Sequence, residues 1–582
     1  MAGLAVGLTA PAGAVTFKMM DGALDGSFDT TLSWGMSMRT ERPNVEMANT
    51  TFPPGAEIFG GAGSLYGNRD FDDKWDIVIN RFQASHDLDL SGNGWGVFLR
   101  GNYFWDEAAD GQDLNDSAEN KAVSGGSFTD AYIWWRMGAD DQLMFRLGKQ
   151  VISWGESTFI LHNLNDVNTF DFNNLRQPGT ELKNILIGTP GLSVAWQATD
   201  SISFDVFTLF AYDEIRVDHS GGVFLTLDAF GDDGAAFANG VIGPGITLQH
   251  ALGPMAPAIP LTGQPSCTAP DGIGVGIAHM CQTGDGIPSG WGQWGIAMHY
   301  YAAGLGSGVD FGFYYQNLHD HVFKLGVEAG DLAVGGTTIG RYFRWFPENI
   351  ERWGMSWNTT LGPWAWGGEY AYRRNQKLQG SVGTALARSL GLTSLGPSGV
   401  PLGVAPGTRL TDVEDYGHHQ ILMTFQRLWG PMPMFAGADQ WNTIVEVAHG
   451  WVTGMPDKDT FARFDESITN NWQGLNFLSQ WTYNNALFNR ANLELRAAGK
   501  WDIRGQSPQF GGAKWWIEDR KQFTLGMSFD YRQRWKGGVS HTWFWGGGSR
   551  VYGDDQTGLN TVRSKDSSRD RDFLAFDLSY TF

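Results

Sequence analysis

No uninterrupted apolar run of about 18 residues occurs in the chain, so no transmembrane helix is expected. Positive charge is scarce. Against 62 Asp and Glu stand 41 Lys and Arg, giving a formal net charge of −21 and a pI near 4.9. That balance excludes a nucleic-acid binder, which needs a basic footprint. Cysteine is nearly absent, with only Cys267 and Cys281 in 582 residues. A basic leader is missing as well: Gly3 to Ala10 are small and apolar, but no Lys or Arg precedes them. Abundant instead are glycine (79), phenylalanine (37) and tryptophan (26). Glycine suits twisted strands and turns, and Trp suits membrane interfaces. A mean hydropathy of −0.25 is compatible with a membrane barrel, which carries its signal in alternation and not in runs.

Alternation is what the chain has throughout. In the last eleven residues Leu574, Phe576, Leu578, Tyr580 and Phe582 fall on one face and Ala575, Asp577, Ser579 and Thr581 on the other. Phe82, Ala84, His86, Leu88 and Leu90 oppose Arg81, Gln83, Ser85, Asp87 and Asp89. After the hairpin signal Gly92-Asn93-Gly94, Val97, Leu99, Tyr103 and Trp105 oppose Arg100, Asn102 and Asp106. Leu493, Leu495, Ala497, Trp501 and Ile503 oppose Glu494, Arg496, Lys500, Asp502 and Arg504. A second face charged at nearly every position suits a wet lumen and not a soluble core. Similar segments recur to the C-terminus, including one at 340–346. The expected fold is all-β, a single transmembrane antiparallel β-barrel of about 16–18 strands. Long Gly/Pro/Ser/Thr stretches at 40–75, 213–290 and 376–411 are read as extracellular loops and the short turns as periplasmic. The ending Tyr580-Thr581-Phe582 resembles the C-terminal signal by which Gram-negative outer-membrane barrels are recognised for insertion.

Residues 1–14 read as a signal-peptide remnant, with Ala12-Gly13-Ala14 as the cleavage site, and 15–582 as one barrel domain. In an exported chain Cys267 and Cys281, close together in a loop-like stretch, are expected to form a disulfide.

One stretch breaks the alternation. Residues 151–190 run through Trp154-Gly155-Glu156-Ser157-Thr158-Phe159, then an Asn/Asp-rich region in which Asp171 can cap a short helix, then Arg176 and Glu181-Leu182-Lys183. Too polar for lipid, it is either a surface loop or an inward-folded segment that narrows the channel. The inward reading makes Trp154, Glu156, Ser157, Phe159, Arg176, Glu181 and Lys183 a gate, its charges answering those of the lumen. The inferred lumen face contains Arg81, Arg100, Arg136, Arg146, Glu369, Arg373, Glu494, Arg496, Lys500, Asp502, Asp530 and Arg532.

Leu147-Gly148-Lys149-Gln150, Trp154 to Phe159, Arg176, Pro178-Gly179 and Glu181-Leu182-Lys183 together resemble the signature of a family of large proteobacterial outer-membrane proteins, known as domain of unknown function, family 1302. Gly26 to Ser33, Gly96 to Gly101, Gly292 to Gly295, Gly312 to Tyr315 with His319, and Asp570 to Phe573 match in order. The pattern departs from the family at Lys183-Asn184 and His321-Val322. The resemblance implies a barrel concerned with traffic of hydrophobic or lipid-like molecules. Its implied partners are outer-membrane lipid, the barrel-assembly machinery, a periplasmic partner and an inner-membrane export pump.

Enzymatic and metal readings are weaker. Ser157, His162 and Asn163 are nearly consecutive and lack a nucleophile elbow, so no catalytic residue is assigned. His319-Asp320-His321, His418-His419 and the acidic Asp70, Asp72, Asp73 and Asp76 lack a full ligand pattern, so no metal or cofactor is expected. Two functions remain: a channel for small hydrophobic or amphipathic molecules (lipid-like, aromatic or steroid-like), and a structural port of a trans-envelope export complex with little conduction alone.

Overall fold

A computed structural model describes residues 15–43, 71–225, 231, 281–329, 340–379, 405–433, 437–455, 468–508 and 516–582, apart from 113, 115, 139, 162, 220, 412, 488, 555–558 and 565–567. The expected signal-peptide remnant and Cys267 lie outside the described residues, as does the side chain of Cys281, and with them the expected disulfide.

Eighteen antiparallel strands close into one barrel. They are β1 (Leu24–Arg39), β2 (Ile77–Ser91), β3 (Trp95–Asp106), β4 (Ser124–Met137), β5 (Leu143–Gln150), β6 (Thr189–Gln197), β7 (Ile202–Leu209), β8 (Trp294–Ala302) and β9 (Val309–Leu318). The second half comprises β10 (Ile350–Leu361), β11 (Trp364–Gln379), β12 (Val413–Leu428), β13 (Gln440–Thr453), β14 (Asn471–Leu487), β15 (Ala491–Arg504), β16 (Lys521–Tyr531), β17 (Trp535–Trp545) and β18 (Phe573–Thr581). Each pairs with its neighbour in sequence, and β18 closes on β1 with Thr31 opposite Thr581 and Arg39 opposite Phe573. Below that seam a short strand, Val15–Met19, pairs with β1 from Leu24 to Phe28, continuing the line where β18 ends. Closure leaves the wall without a free edge. No helix among the described residues is long and apolar enough to cross a membrane.

The alternation read from the sequence is the two-sidedness of this wall. Leu32, Phe82, Tyr103, Phe128, Trp353 and Leu525 point outward and stay exposed. Tryptophans gather near both ends of the outer face. Trp95, Trp364, Trp429, Trp441 and Trp535 lie at the short-turn end, and Trp105, Trp294, Trp451, Trp501 and Trp543 at the loop end. Two aromatic girdles on an apolar band are the outer dress of a transmembrane barrel.

The expected strand at 340–346 forms, as Gly340–Trp345, but not in the wall. It joins Lys324–Ala329, Arg409–Thr411 and Cys281–Gln282 in a small separate sheet at the loop end. Alternation reports any sheet with two unlike faces, so it cannot tell this cap from the barrel. The cap is densely packed: Val322, Phe323, Leu325, Val327, Tyr342, Phe343 and Phe346 are all buried.

Candidate functional site

The stretch from Val151 to Gly188, between β5 and β6, turns into the barrel and reaches both walls. Its first arm, 151–168, lies on β7 to β13. Ile152, Trp154, Leu164 and Val167 pack with Phe207, Leu209, Ala297, Tyr314, Leu318 and Ala371. Trp154 sits edge-on to Phe207 at 4.7 Å. Burying a side chain of this kind contributes on the order of 2 kcal/mol. Space is made for it by glycine: a Cβ on Gly354 of β10 would collide with the Leu164 methyls.

The polar anchors of this arm are two wall carboxylates. Glu369 on β11, fully buried, accepts the backbone N–H groups of Glu156, Ser157 and Leu164. Glu446 on β13 accepts those of Thr158 at 2.7 Å, Phe159 at 2.9 Å and Ile160 at 2.8 Å, and the Thr424 hydroxyl at 3.0 Å. Nests of backbone donors around an anion are a strong form of hydrogen bonding. Asp166 completes the arm, with Arg352 at 3.3 Å and Arg373 at 3.2 Å.

The second arm, 171–184, crosses to β1, β2 and β18. Asp171 caps the short helix Phe172–Arg176, accepting from the Asn174 N–H at 3.0 Å. Burial pushes the Asp171 carboxyl above its ordinary value and Arg216 pulls it back. Arg81 of β2, paired with Asp106 at 3.2 Å, donates to the Asn174 side chain. Gly35 of β1 leaves room for Gln177 and Pro178, and Gly179 lies against Asp577 of β18. Lys183 meets Asp87 of β2 at 3.4 Å and Glu181 at 2.9 Å. Asp87 is also held by Arg100, which reaches Asp130 at 3.3 Å.

The gate side chains named from sequence therefore have unequal roles. The Glu156 carboxylate does not meet a lumen cation; it accepts from Asn358 at 2.7 Å, and burial raises its pKa. Arg176 pairs with Asp218 at 2.6 Å and lies over Phe224, a loop-to-loop contact. Among the described residues, Lys183 alone of these side chains makes an ion pair with the wall, to Asp87. Trp154 is packed away against Phe207 and Tyr314, whereas Phe159 is half-buried. The Ser157 hydroxyl donates to the Ile160 carbonyl. Glu446, Asp166, Arg352 and Asn358 were not singled out from the sequence. Glu446, the one acid on an inner face that runs Gln440, Asn442, Ile444, Glu446, Ala448, Gly450 and Val452, was the available signal.

Of the remaining lumen residues, Arg136, Arg146, Glu494, Arg496 and Asp530 have inward register. Asp502 is fully buried and holds Arg520 at 2.7 Å, and Lys500 lies near both Asp502 and the Trp516 ring. Arg532 does not face the lumen from a strand; with φ 58° it belongs to the turn after β16, over Tyr531. Tyr580 points outward onto Trp535, and Phe582 exchanges backbone hydrogen bonds with Thr30 at 3.0 Å.

His319 and His321 spend their ring nitrogens on the backbone of Trp291, Asn349, Asp213 and Val167. His418 stacks inward on Trp472 and His419 outward on Trp451. Among the described residues no three His, Cys, Asp or Glu side chains converge on a metal position. His162 lies outside the described residues. What the assembled groups do chemically is hold a polar segment across a lumen.

Solved structures similar to the chain include OccK1 (OpdK) of Pseudomonas aeruginosa, 8% identical over 96% of this chain and 98% of that one, with a TM-score of 0.39. The same protein has been crystallised with vanillate. OccAB1 of Acinetobacter baumannii is 8% identical over 98% and 99% of the two chains, again with a TM-score of 0.39. No curated protein matches. The family signature met in the sequence extends over residues 1–582, and the chain belongs to the family described as protein of unknown function, DUF1302.

Proposed function

We propose that the protein is an outer-membrane channel for small hydrophobic or amphipathic molecules, with residues 151–188 as its internal barrier. The observation that carries this reading is the pair of carboxylates, Glu369 and Glu446, holding a polar segment inside a closed barrel whose outer face is apolar. A barrel needing only to be stable has no use for a segment docked across its lumen by six backbone N–H groups. The short-turn end, where Phe582 lies, is assigned to the periplasm.

A second reading, a structural port with little conduction alone, draws support from the packed cap, where Asp320 and Lys324 are buried together at 3.6 Å. Flux of small amphipathic solutes through liposomes carrying the purified protein decides between them. Flux above that of protein-free liposomes supports the channel. Impermeable liposomes that hold correctly folded barrel favour the port.

A further inference from the structure

Most arginines on the lumen face are neutralised. Arg81, Arg100, Arg352 and Arg373 each have an aspartate oxygen within 3.3 Å. Arg136 on β4 and Arg146 on β5 differ. Among the described residues neither guanidinium has an ion pair or a hydrogen bond. Each lies over a ring instead: Arg136 at 5.3 Å from the Trp134 centroid and Arg146 at 5.7 Å from that of Tyr132. Tyr132 meets Phe98 of β3 at 5.6 Å, and Arg100 lies over Phe98 at 5.0 Å.

Register places this patch on the inner wall. Trp134 opposes both Gly96 and Arg146, and Tyr132 opposes both Phe98 and Gly148. A Cβ on Gly96 would strike the Trp134 ring, so that ring lies flat against the wall. The patch begins at the periplasmic mouth, where the Arg136 N–H bonds to Gly94 in the turn. It climbs to Arg100, whose partner Asp87 also holds Lys183 of the barrier.

A guanidinium that lies over a ring and has no other partner keeps its N–H groups free, and these take a carboxylate two bonds at a time. Inside a barrel, screening is weaker than on an open surface, so two uncompensated cations attract an anion more strongly. The rings offer flat apolar area to a cyclic body. Tyr132 to Arg136 spans roughly 13 Å at strand rise, the length of a fused-ring body with its acid group at one end.

We propose that the lumen face of β3–β5 is a binding site for amphipathic carboxylates. The ring system lies over Phe98, Tyr132 and Trp134, and the carboxylate is held by Arg136 and Arg146. Asp89, opposite Phe98 on β2, disfavours a second acid group at the far end, so the site takes a monoanion with its charge toward the periplasmic mouth. This rests on the channel reading and gives its permeant a shape and a sign of charge.

The test is calorimetric titration of the detergent-solubilised full chain with 2-naphthoate, 2-naphthylmethanol and acetate. Naphthoate is expected to bind at least tenfold tighter than either of the others, which lack one half of the ligand. Equal binding of naphthoate and the alcohol to the unaltered protein overturns the proposal without any variant. The double change Arg136→Gln, Arg146→Gln should weaken naphthoate at least tenfold and leave the alcohol unchanged. Tyr132→Ala with Trp134→Ala should weaken both ring compounds. Arg496→Gln, on the far wall, is the control. Every variant must keep the heat-dependent gel shift of a folded barrel. Naphthoate affinity unchanged in the double arginine variant, or reduced as much by Arg496→Gln, overturns the site. Liposome flux separates the two readings: binding without flux sinks the channel and keeps the site, and flux without binding does the reverse.

Discussion

Glu369 and Glu446 bind what no substitution in the segment short of proline removes, the backbone N–H groups of residues 156–160 and 164. Truncating either carboxylate strands three donors, and each buried, unmet donor costs about 1–3 kcal/mol. Glu369→Ala and Glu446→Ala should therefore speed amide hydrogen exchange across 156–164 by roughly 100-fold or more, a docking loss of about 3 kcal/mol. Ser157→Ala, which removes one hydrogen bond to the Ile160 carbonyl, should have a much smaller effect, and Arg176→Ala should loosen only the contact with Asp218. Faster exchange in Glu156→Ala than in Glu369→Ala would refute this ranking. Glu156 has its own pH signature. Burial raises its pKa in the docked segment, with Asp310 adding to the rise and Asn358 opposing it. The docked state thus keeps a proton that the undocked segment has already released. Docking is tighter at or below the ordinary carboxyl value and weakens as pH climbs from there through the raised one. Exchange rates of 156–164, corrected for intrinsic chemistry, should rise with pH in that window. Glu156→Gln should flatten the rise, and an unaltered slope in that variant would assign the effect elsewhere.

Among elements, the barrier depends on the relief of the wall facing it. Gly354 makes the hollow that Leu164 fills, and its missing Cβ faces the lumen, not lipid. Gly354→Val should leave assembly intact, displace the first arm, and give larger or noisier openings in planar bilayers. Conductance identical to the parent protein would mean that the arm does not limit passage. The strands themselves were legible in the sequence because alternation is local: Phe82, Tyr103 and Trp105 fall outward where the period places them. The break at 151 was equally local. What alternation could not supply was partnership. Glu156 and Arg176 looked like anchors because charge is visible in a sequence, whereas the backbone N–H groups that Glu446 holds are common to every residue but proline. Gly340–Trp345 looked like wall because the cap sheet also has two faces. Arg532 followed the alternation of β16 one position too far, into a turn with left-handed φ.

For the whole molecule, the first and last strands of the barrel meet at one seam. Phe582 exchanges two backbone hydrogen bonds with Thr30, and its ring stands 45% exposed on the outer face beside Tyr580. Phe582→Glu should lower the amount of barrel recovered from the outer membrane and the fraction showing a heat-dependent gel shift. Recovery at the level of the unaltered protein would mean that the terminal ring is dispensable.

That seam also fixes an order in time. The hydroxyls of Thr31 and Thr581 meet across it although they are 550 positions apart in the chain. A contact of such sequence separation is entropically dear and comes late. The barrier's second arm rests on β1 beside Gly35 and on β18 beside Asp577, so its seat does not exist until the last strand is in place. During assembly the barrel must therefore close first, and the segment dock against β1 and β18 afterwards. In a refolding time course into detergent or lipid, the heat-resistant gel form should appear before residues 151–188 gain protection from protease.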